Sequence, residues 1–245
     1  FYTILLSECK CEAYAYGHQC CDFSDGTLVC LTPGESISMK ENNKEFPSKG
    51  WILAFHPDLI CGTPLGLNIH NYTFFSYCPE EALHLSLREK QIILEFLERI
   101  RQELERCIDR HSKKIISKYI ELLLDYCTRF YERQFITRSE VNKKVFREFN
   151  HLLDNHFNVK VSLSTDVLSD EYCANLLHLS PAYFNDLLKY EIGKEFKEYI
   201  QFKRFEIAKG WLVNTDKTLG QIAQELGFSN SQYFSRLFKK ITGCS

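Results

Sequence analysis

The spacing of apolar residues changes period once along this chain, near residue 80. Before Pro79 the apolar positions come in short, β-branched or aromatic runs: "FYTILL" (Phe1 to Leu6), "TLVCLT" (Thr27 to Thr32) and "GWILAFH" (Gly50 to His56). Turn-forming residues separate them at Tyr16-Gly17, Ser24-Asp25-Gly26, Pro33-Gly34 and Pro47-Ser48-Lys49-Gly50. Short strands at this spacing predict a small barrel or sandwich. From Leu87 to Cys107 the pattern turns helical, with Ile92, Ile93, Phe96, Leu97, Ile100 and Leu104 on one stripe. A second amphipathic helix is predicted from Ser112 to Arg133, with Ile115, Ile116, Tyr119, Ile120, Leu123, Tyr126, Cys127 and Phe130 as its apolar positions. These two helices either cover the strands or meet a second subunit. A third helix, Ser139 to Phe157, leads into "NVKVSLSTDVLS", a polar and partly extended stretch that is the candidate linker. From Ser169 onward the pattern is helical.

That last part contains a near-repeat. "SDEYCANLLHLSPAYFNDLLKYEIGKEF" (Ser169 to Phe196) matches "TLGQIAQELGFSNSQYFSRLFKKITGCS" (Thr218 to Ser245). Each copy predicts a short helix, a three-residue turn and a second helix ending at Gly193 or Gly243. Ala174 and Ala223 are small enough for a second helix to cross closely, and Leu179 and Phe228 plug the turns. Gly227 supplies the positive φ that a tight turn demands, and His178 stands at the matching place, a residue that tolerates it better than a β-branched one. This is a helix-turn-helix arrangement, occurring twice. Its second helix protrudes, and a major groove about 12 Å wide accepts one helix. In the second copy Tyr233, Phe234, Leu237 and Phe238 face inward. Asn230, Ser231, Gln232, Ser235, Arg236 and Lys239 face outward. Gln232 suits adenine and Arg236 suits guanine or phosphate. Between the copies "KEFKEYIQFKRFEIAKGWLVN" (Lys194 to Asn214) predicts a long strut that fixes their separation. Gly210 inside it costs about 1 kcal/mol against alanine, which suggests close packing beside Trp211.

Composition narrows the class. The 245 residues, 44% hydrophobic and 25% charged, describe one large or two ordinary globular domains. No apolar run approaches the roughly 20 residues that span a bilayer. Eleven cysteines are an odd number in a long chain with a large apolar inventory. That argues for a reducing compartment, with most cysteines acting as small buried hydrophobes. Cys9, Cys11, Cys20 and Cys21 lie near His18, but adjacent cysteines chelate one zinc poorly, and no metal or other cofactor is expected. Net charge is −2, and residues 158–245 carry 11 Lys+Arg against 10 Asp+Glu. A nucleic-acid surface must therefore gather its cations on one face.

The segment from about Leu168 to Ser245 resembles the DNA-binding domain of AraC/XylS transcription regulators, through "IAQELGFSNSQYFSRLFKKITGCS" with its I-A, G-F, Y-F, F-K-K and G. "LTPGESISM" and "GWILAFHPDLI" resemble the cupin-like regulatory domain of the same family. The resemblance implies an α+β chain: a cupin-like β-barrel over 1–80, a helical dimerisation or linker region over 81–157, and a double helix-turn-helix domain over 158–245. The barrel's upstream strands and the family's usual continuation past Ser245 are expected outside this sequence. Base-facing positions carry over to Ala182, Asn185 and Asp186 in the first reading helix, and to Ser231, Gln232, Ser235 and Arg236 in the second. Asn230, Lys189, Lys239 and Lys240 complete the expected DNA-contacting set. Asp186 departs from the family's basic or amide-rich pattern, so the second helix is expected to discriminate more strongly. The resemblance further implies a bacterial cytoplasmic regulator that binds double-stranded DNA as a homodimer, with a small-molecule effector and RNA polymerase as further partners. Tyr14, Tyr16, Trp51 and Phe55 are the candidate effector contacts, or else ordinary β-core residues. No H-x-H of a metallo-cupin and no catalytic motif is present, so the protein is not expected to be an enzyme. The alternative reading is a ligand sensor or interaction protein that has lost DNA binding.

Overall fold

The three apolar runs form strands, and register decides what they bury. The structure is a computed structural model describing residues 1–7, 17–35, 49–158, 168–228 and 231–242. It divides into two compact units, Phe1–Val141 and Asn142–Ser245. In the first, β1 (Tyr2–Ser7), β2 (Gly26–Leu31), β3 (Gly50–Phe55) and β4 (Leu83–Leu85) form an antiparallel sheet of order β3-β1-β2-β4. Ile4 pairs with Cys30 and Leu53, and Leu6 with Leu28 and Trp51, so these residues share one face. After β3, the short helices α1 (Pro57–Ile60) and α2 (Pro64–Asn68) and a series of 3-10 turns bring Phe74, Phe75 and Tyr77 into the core. Helix α3 (Leu87–Glu105) starts at a capping box: Ser86 Oγ accepts from Glu89 N–H, and a Glu89 carboxylate oxygen accepts from Ser86 N–H. It packs on α4 (Ser112–Thr137), burying Ile93, Leu97 and Ile100 from one helix and Ile120, Leu123, Leu124 and Cys127 from the other.

Among the described residues the expected barrel does not form: the four-stranded sheet is open. At one edge the physical reason is visible. β4 is three residues long, and its outer edge is occupied by side chains of α4. The buried Gln134 amide takes both roles of a neighbouring strand, accepting from His84 N–H at 2.8 Å and donating to Ala82 O at 3.0 Å. Arg133 Nη2 donates to His84 O at 2.7 Å. An edge whose backbone groups are already satisfied has no reason to recruit another strand.

A buried ion pair fixes the end of α4. Arg138 donates from Nε and Nη2 to the two carboxylate oxygens of Asp22, at 2.9 and 2.5 Å, and Nη2 also donates to Gly17 O. The Asp22 side chain is fully buried and that of Arg138 is 6% exposed. Gln19 N–H donates to the same carboxylate, and His84 Nε2 lies 3.9 Å from it.

Helix α5 (Ser139–Asn158) follows at once, and from Asn142 it belongs to the second unit. There Phe149 and Leu153 are fully buried with Phe184, Leu188, Phe196 and Tyr199. On sequence this helix fell within 81–157, upstream of the DNA-binding segment. Residues 159–167 of the candidate linker lie outside the described residues. The remaining helices are α6 (Asp170–Leu176), α7 (Pro181–Ile192), α8 (Phe196–Asn214), α9 (Leu219–Glu225) and α10 (Ser231–Thr242). Among the described residues no helix is long and apolar enough to cross a membrane.

The expectation that most cysteines are buried fails among the described residues, where five of eight are exposed. Cys30, Cys127 and Cys173 are buried free thiols, whereas Cys20, Cys21, Cys61, Cys78 and Cys107 are exposed. Burial drives the Cys30 and Cys127 thiols far above their ordinary range. Cys173 is pushed up to about 11, by burial first and then by the charge of Asp170. The buried three are packing residues rather than nucleophiles.

Candidate nucleic-acid interface

The two copies of the repeat end their first helices in the same way. His178 has φ +57°, in the left-handed region, and Gly227 has φ +76°. Around His178, Leu179 N–H donates to Ala174 O at 3.0 Å and His178 N–H to Asn175 O at 3.1 Å. Around Gly227, Phe228 N–H donates to Ala223 O at 2.9 Å and Gly227 N–H to Gln224 O at 3.0 Å. Both are Schellman closures, in which a left-handed residue lets two late N–H groups satisfy the last carbonyls of the helix. Leu179 and Phe228 then pack against the two cores as expected. In the first copy the turn is longer than three residues: 177–180 separate α6 from α7. In the first copy, Ser180 Oγ accepts from Tyr183 N–H with Pro181 at the first helical position, so α7 starts sharply. Gly193, at φ +66°, ends it.

Helices α7 and α10 are each anchored by a core of their own, and α8 is threaded through both. Phe196, Tyr199 and Ile200, from its first half, join Phe149, Cys173, Ala174, Phe184 and Leu188. Phe205 and Ala208, from its second half, join Ile222, Ala223, Leu226, Phe234 and Phe238. The 19 residues of α8 make a rod about 28 Å long. Its one weak point is Gly210, where an added Cβ meets nothing within 4 Å. Close packing beside Trp211 is therefore not the reason for this glycine. Gly210→Ala is expected to stabilise the unit by about 1 kcal/mol in urea unfolding; equal or lower stability contradicts this account of the helix.

The outward positions divide by exposure. On α10, Gln232, Arg236 and Lys239 are exposed and Ser235 is half-buried, while Phe234 and Phe238 point into the core. Ser231 and Lys240 lie on the same helix, and Asn230 is outside the described residues. On α7, Lys189 is exposed, and Ala182, Asn185 and Asp186 are half-buried. Asn185 Nδ2 donates to Asp170 Oδ2 at 2.9 Å. Sequence reasoning missed this partner, because 15 residues and a turn separate the two. It also passed over Arg204 of α8, whose guanidinium lies 5.6 Å from the Phe228 ring centroid with Nε buried and unbonded. Burial lowers the pKa of Arg204. Of the candidate effector residues, Tyr14 and Tyr16 are outside the described residues. Trp51 is half-buried opposite Leu6, and Phe55 is buried and stacked on Tyr2 at 5.4 Å. Among the described residues no group of three or more His, Cys, Asp or Glu is placed to hold a metal ion.

Residues 173–245 match a family model described as a helix-turn-helix domain. The C-terminal unit carries an AraC-type helix-turn-helix domain. Among curated proteins, the chain is similar to the uncharacterized HTH-type transcriptional regulator YtdP of Bacillus subtilis (strain 168), at 34% identity over 104 residues, 42% of this chain and 14% of that protein. It is 40% identical over 79 residues to the bifunctional transcriptional activator/DNA repair enzyme AdaA of the same organism, covering 32% of this chain and 37% of that one. The uncharacterized HTH-type transcriptional regulator YijO of Escherichia coli (strain K12) aligns over 217 residues at 23% identity, 89% of this chain and 73% of its own length. The chain thus spans well under two thirds of YtdP and AdaA. No solved structure matches it.

Proposed function

We propose that this protein is a sequence-specific DNA-binding transcription regulator whose helices α7 and α10 enter neighbouring major grooves of one duplex. The observation that carries the reading is the pair of matching Schellman turns, at His178 and Gly227, on two cores threaded by the single helix α8. A rigid rod between two protruding helices allows two major-groove contacts per subunit. Arg236 and Lys239 gather positive charge on the exposed side of α10, as a unit with nearly balanced charge requires.

The test separates base reading from phosphate contact. Arg236→Ala is expected to weaken binding to a selected duplex by about 1–3 kcal/mol and to relax preference at one base position. Lys239→Ala weakens all duplexes alike and flattens the dependence of log K on log salt by about one unit. A whole chain that shifts no duplex from a random library at low salt contradicts the reading and favours an interaction protein without DNA binding.

The N-terminal unit carries the finer parts of the proposal. Helices α3 and α4 leave Leu104, Ile115 and Leu122 exposed beside their packed seam, a surface suited to a second copy. A monomer mass in sedimentation at micromolar concentration contradicts a homodimer. Control by a small-molecule effector is read onto the sheet, with Trp51 as its one described, partly accessible aromatic candidate. An effector that alters DNA affinity equally in wild type and Trp51→Ala excludes that residue. Catalysis has no part in this reading.

A further inference from the structure

We propose that Asp170 is a positioning residue for DNA recognition, fixing the amide of Asn185 in the polarity that reads adenine. The inference rests on the reading of α7 as a major-groove helix. Asp170 is the first residue of α6, and Ser169 caps that helix by accepting from Tyr172 N–H at 3.0 Å. From there the Asp170 carboxylate reaches across the turn to α7 and accepts one Nδ2–H of Asn185 at 2.9 Å.

An asparagine amide carries two N–H donors and one carbonyl acceptor. With one N–H given to Asp170, the other N–H and Oδ1 stay side by side, the donor–acceptor pair that matches N7 and N6–H of adenine. Flipping the amide would set Oδ1 against a carboxylate oxygen, two acceptors with no proton between them. Asp170 thus excludes the flipped form and removes a rotamer choice before DNA arrives. The carboxylate is acceptor-only when ionised, so the preference has a fixed sign. The second copy lacks the device. The first residue of α9 is Leu219, and Ser235 of α10 stands where α7 has Asn185. A hydroxyl bonds either donors or acceptors, so this position of α10 carries no comparable polarity.

The experiment is selection from a random duplex library by the whole chain, as wild type, Asp170→Asn, Asp170→Ser, Asn185→Ala and the Asp170→Asn/Asn185→Ala double variant. Wild type is expected to select adenine at one position, and Asn185→Ala to erase that preference. Asp170→Asn accepts or donates equally well, so it permits both amide polarities and reduces the preference by about tenfold, the span of one good bidentate contact. Asp170→Ser cannot reach Asn185 but keeps a helix-starting side chain, and it weakens the same position. The double variant behaves as Asn185→Ala alone, and positions read by α10 keep their preferences throughout. An adenine preference untouched in Asp170→Asn and Asp170→Ser overturns the proposal. So does a uniform loss of affinity with unchanged selectivity, which would make the contact a tie between helices only. Selection with no Asn185-dependent adenine overturns it too, while leaving the regulator reading intact. Failure to select any sequence overturns both.

Discussion

Replacing Phe234 by alanine is expected to destabilise the second half of the C-terminal unit by about 3–5 kcal/mol and to abolish specific DNA binding. Phe234 is completely buried, and three other phenylalanines surround it: Phe228 at 4.7 Å, Phe238 at 5.6 Å and Phe205 at 5.7 Å between ring centroids. Each belongs to a different part of the motif. Phe205 comes from the strut, Phe228 from the turn, and Phe238 lies one helical turn further along α10. Removing the shared ring loses its burial, leaves a cavity, and frees α10 from the element that aims it. The first core, around Phe184, does not contain Phe234. The loss should therefore show as an early unfolding phase of part of the helical signal in urea, and as loss of the specific shifted band. Phe234→Leu keeps most of the volume and is expected to lose much less. An alanine variant with wild-type stability and binding would mean that this core does not hold the reading helix.

Arg138→Ala is expected to cost the N-terminal unit a similar amount, about 3–5 kcal/mol, for an electrostatic reason. It strands the Asp22 carboxylate, fully buried, with only Gln19 N–H and the more distant His84 for company. Replacing both members together, as Asp22→Leu with Arg138→Met, leaves no orphaned charge and is expected to recover most of the loss. A double variant as unstable as Arg138→Ala contradicts this account. The same pair sets an acid limb. Burial alone would raise the pKa of Asp22, but the Arg138 hydrogen bonds and charge, the Gln19 N–H and His84 together bring it below its ordinary 3.8. A carboxyl whose folded pKa lies below its unfolded one contributes stability above the unfolded value. That contribution is lost as pH falls through the folded value. Wild-type stability from this group is therefore constant from neutral pH down to about pH 4 and declines below it.

The local parts of this architecture are legible in the chain, and the long-range parts are not. β1, β2 and β3 follow the three apolar runs to within a residue, because strand-forming residues bounded by turn formers carry their own signal. The turns at His178 and Gly227 are equally legible, since few residues accept a positive φ. β4 was missed: Leu83–Leu85 is too short to show a period. Turn spacing predicts a barrel, because nothing local announces that Gln134, some 50 residues downstream, satisfies the backbone on both sides of Leu83. The partner of α5 was equally hidden, because Phe149 and Leu153 give the same helical stripe whichever core receives them. In the candidate site, the exposure of Gln232, Arg236 and Lys239 follows from α10's own periodicity. The tie from Asp170 to Asn185 joins two helices and has no local signature.

Hydroxyl-radical footprinting of the whole chain on a selected duplex tests the central claim most directly. Two protruding helices on one rod should protect two windows on the same face of the DNA for each subunit, with centres about 10–10.5 base pairs apart. Phe234→Ala, which loses the specific complex, should show neither window at a protein concentration that saturates wild type. A single window per subunit in wild type, or two on opposite faces of the duplex, would contradict the account.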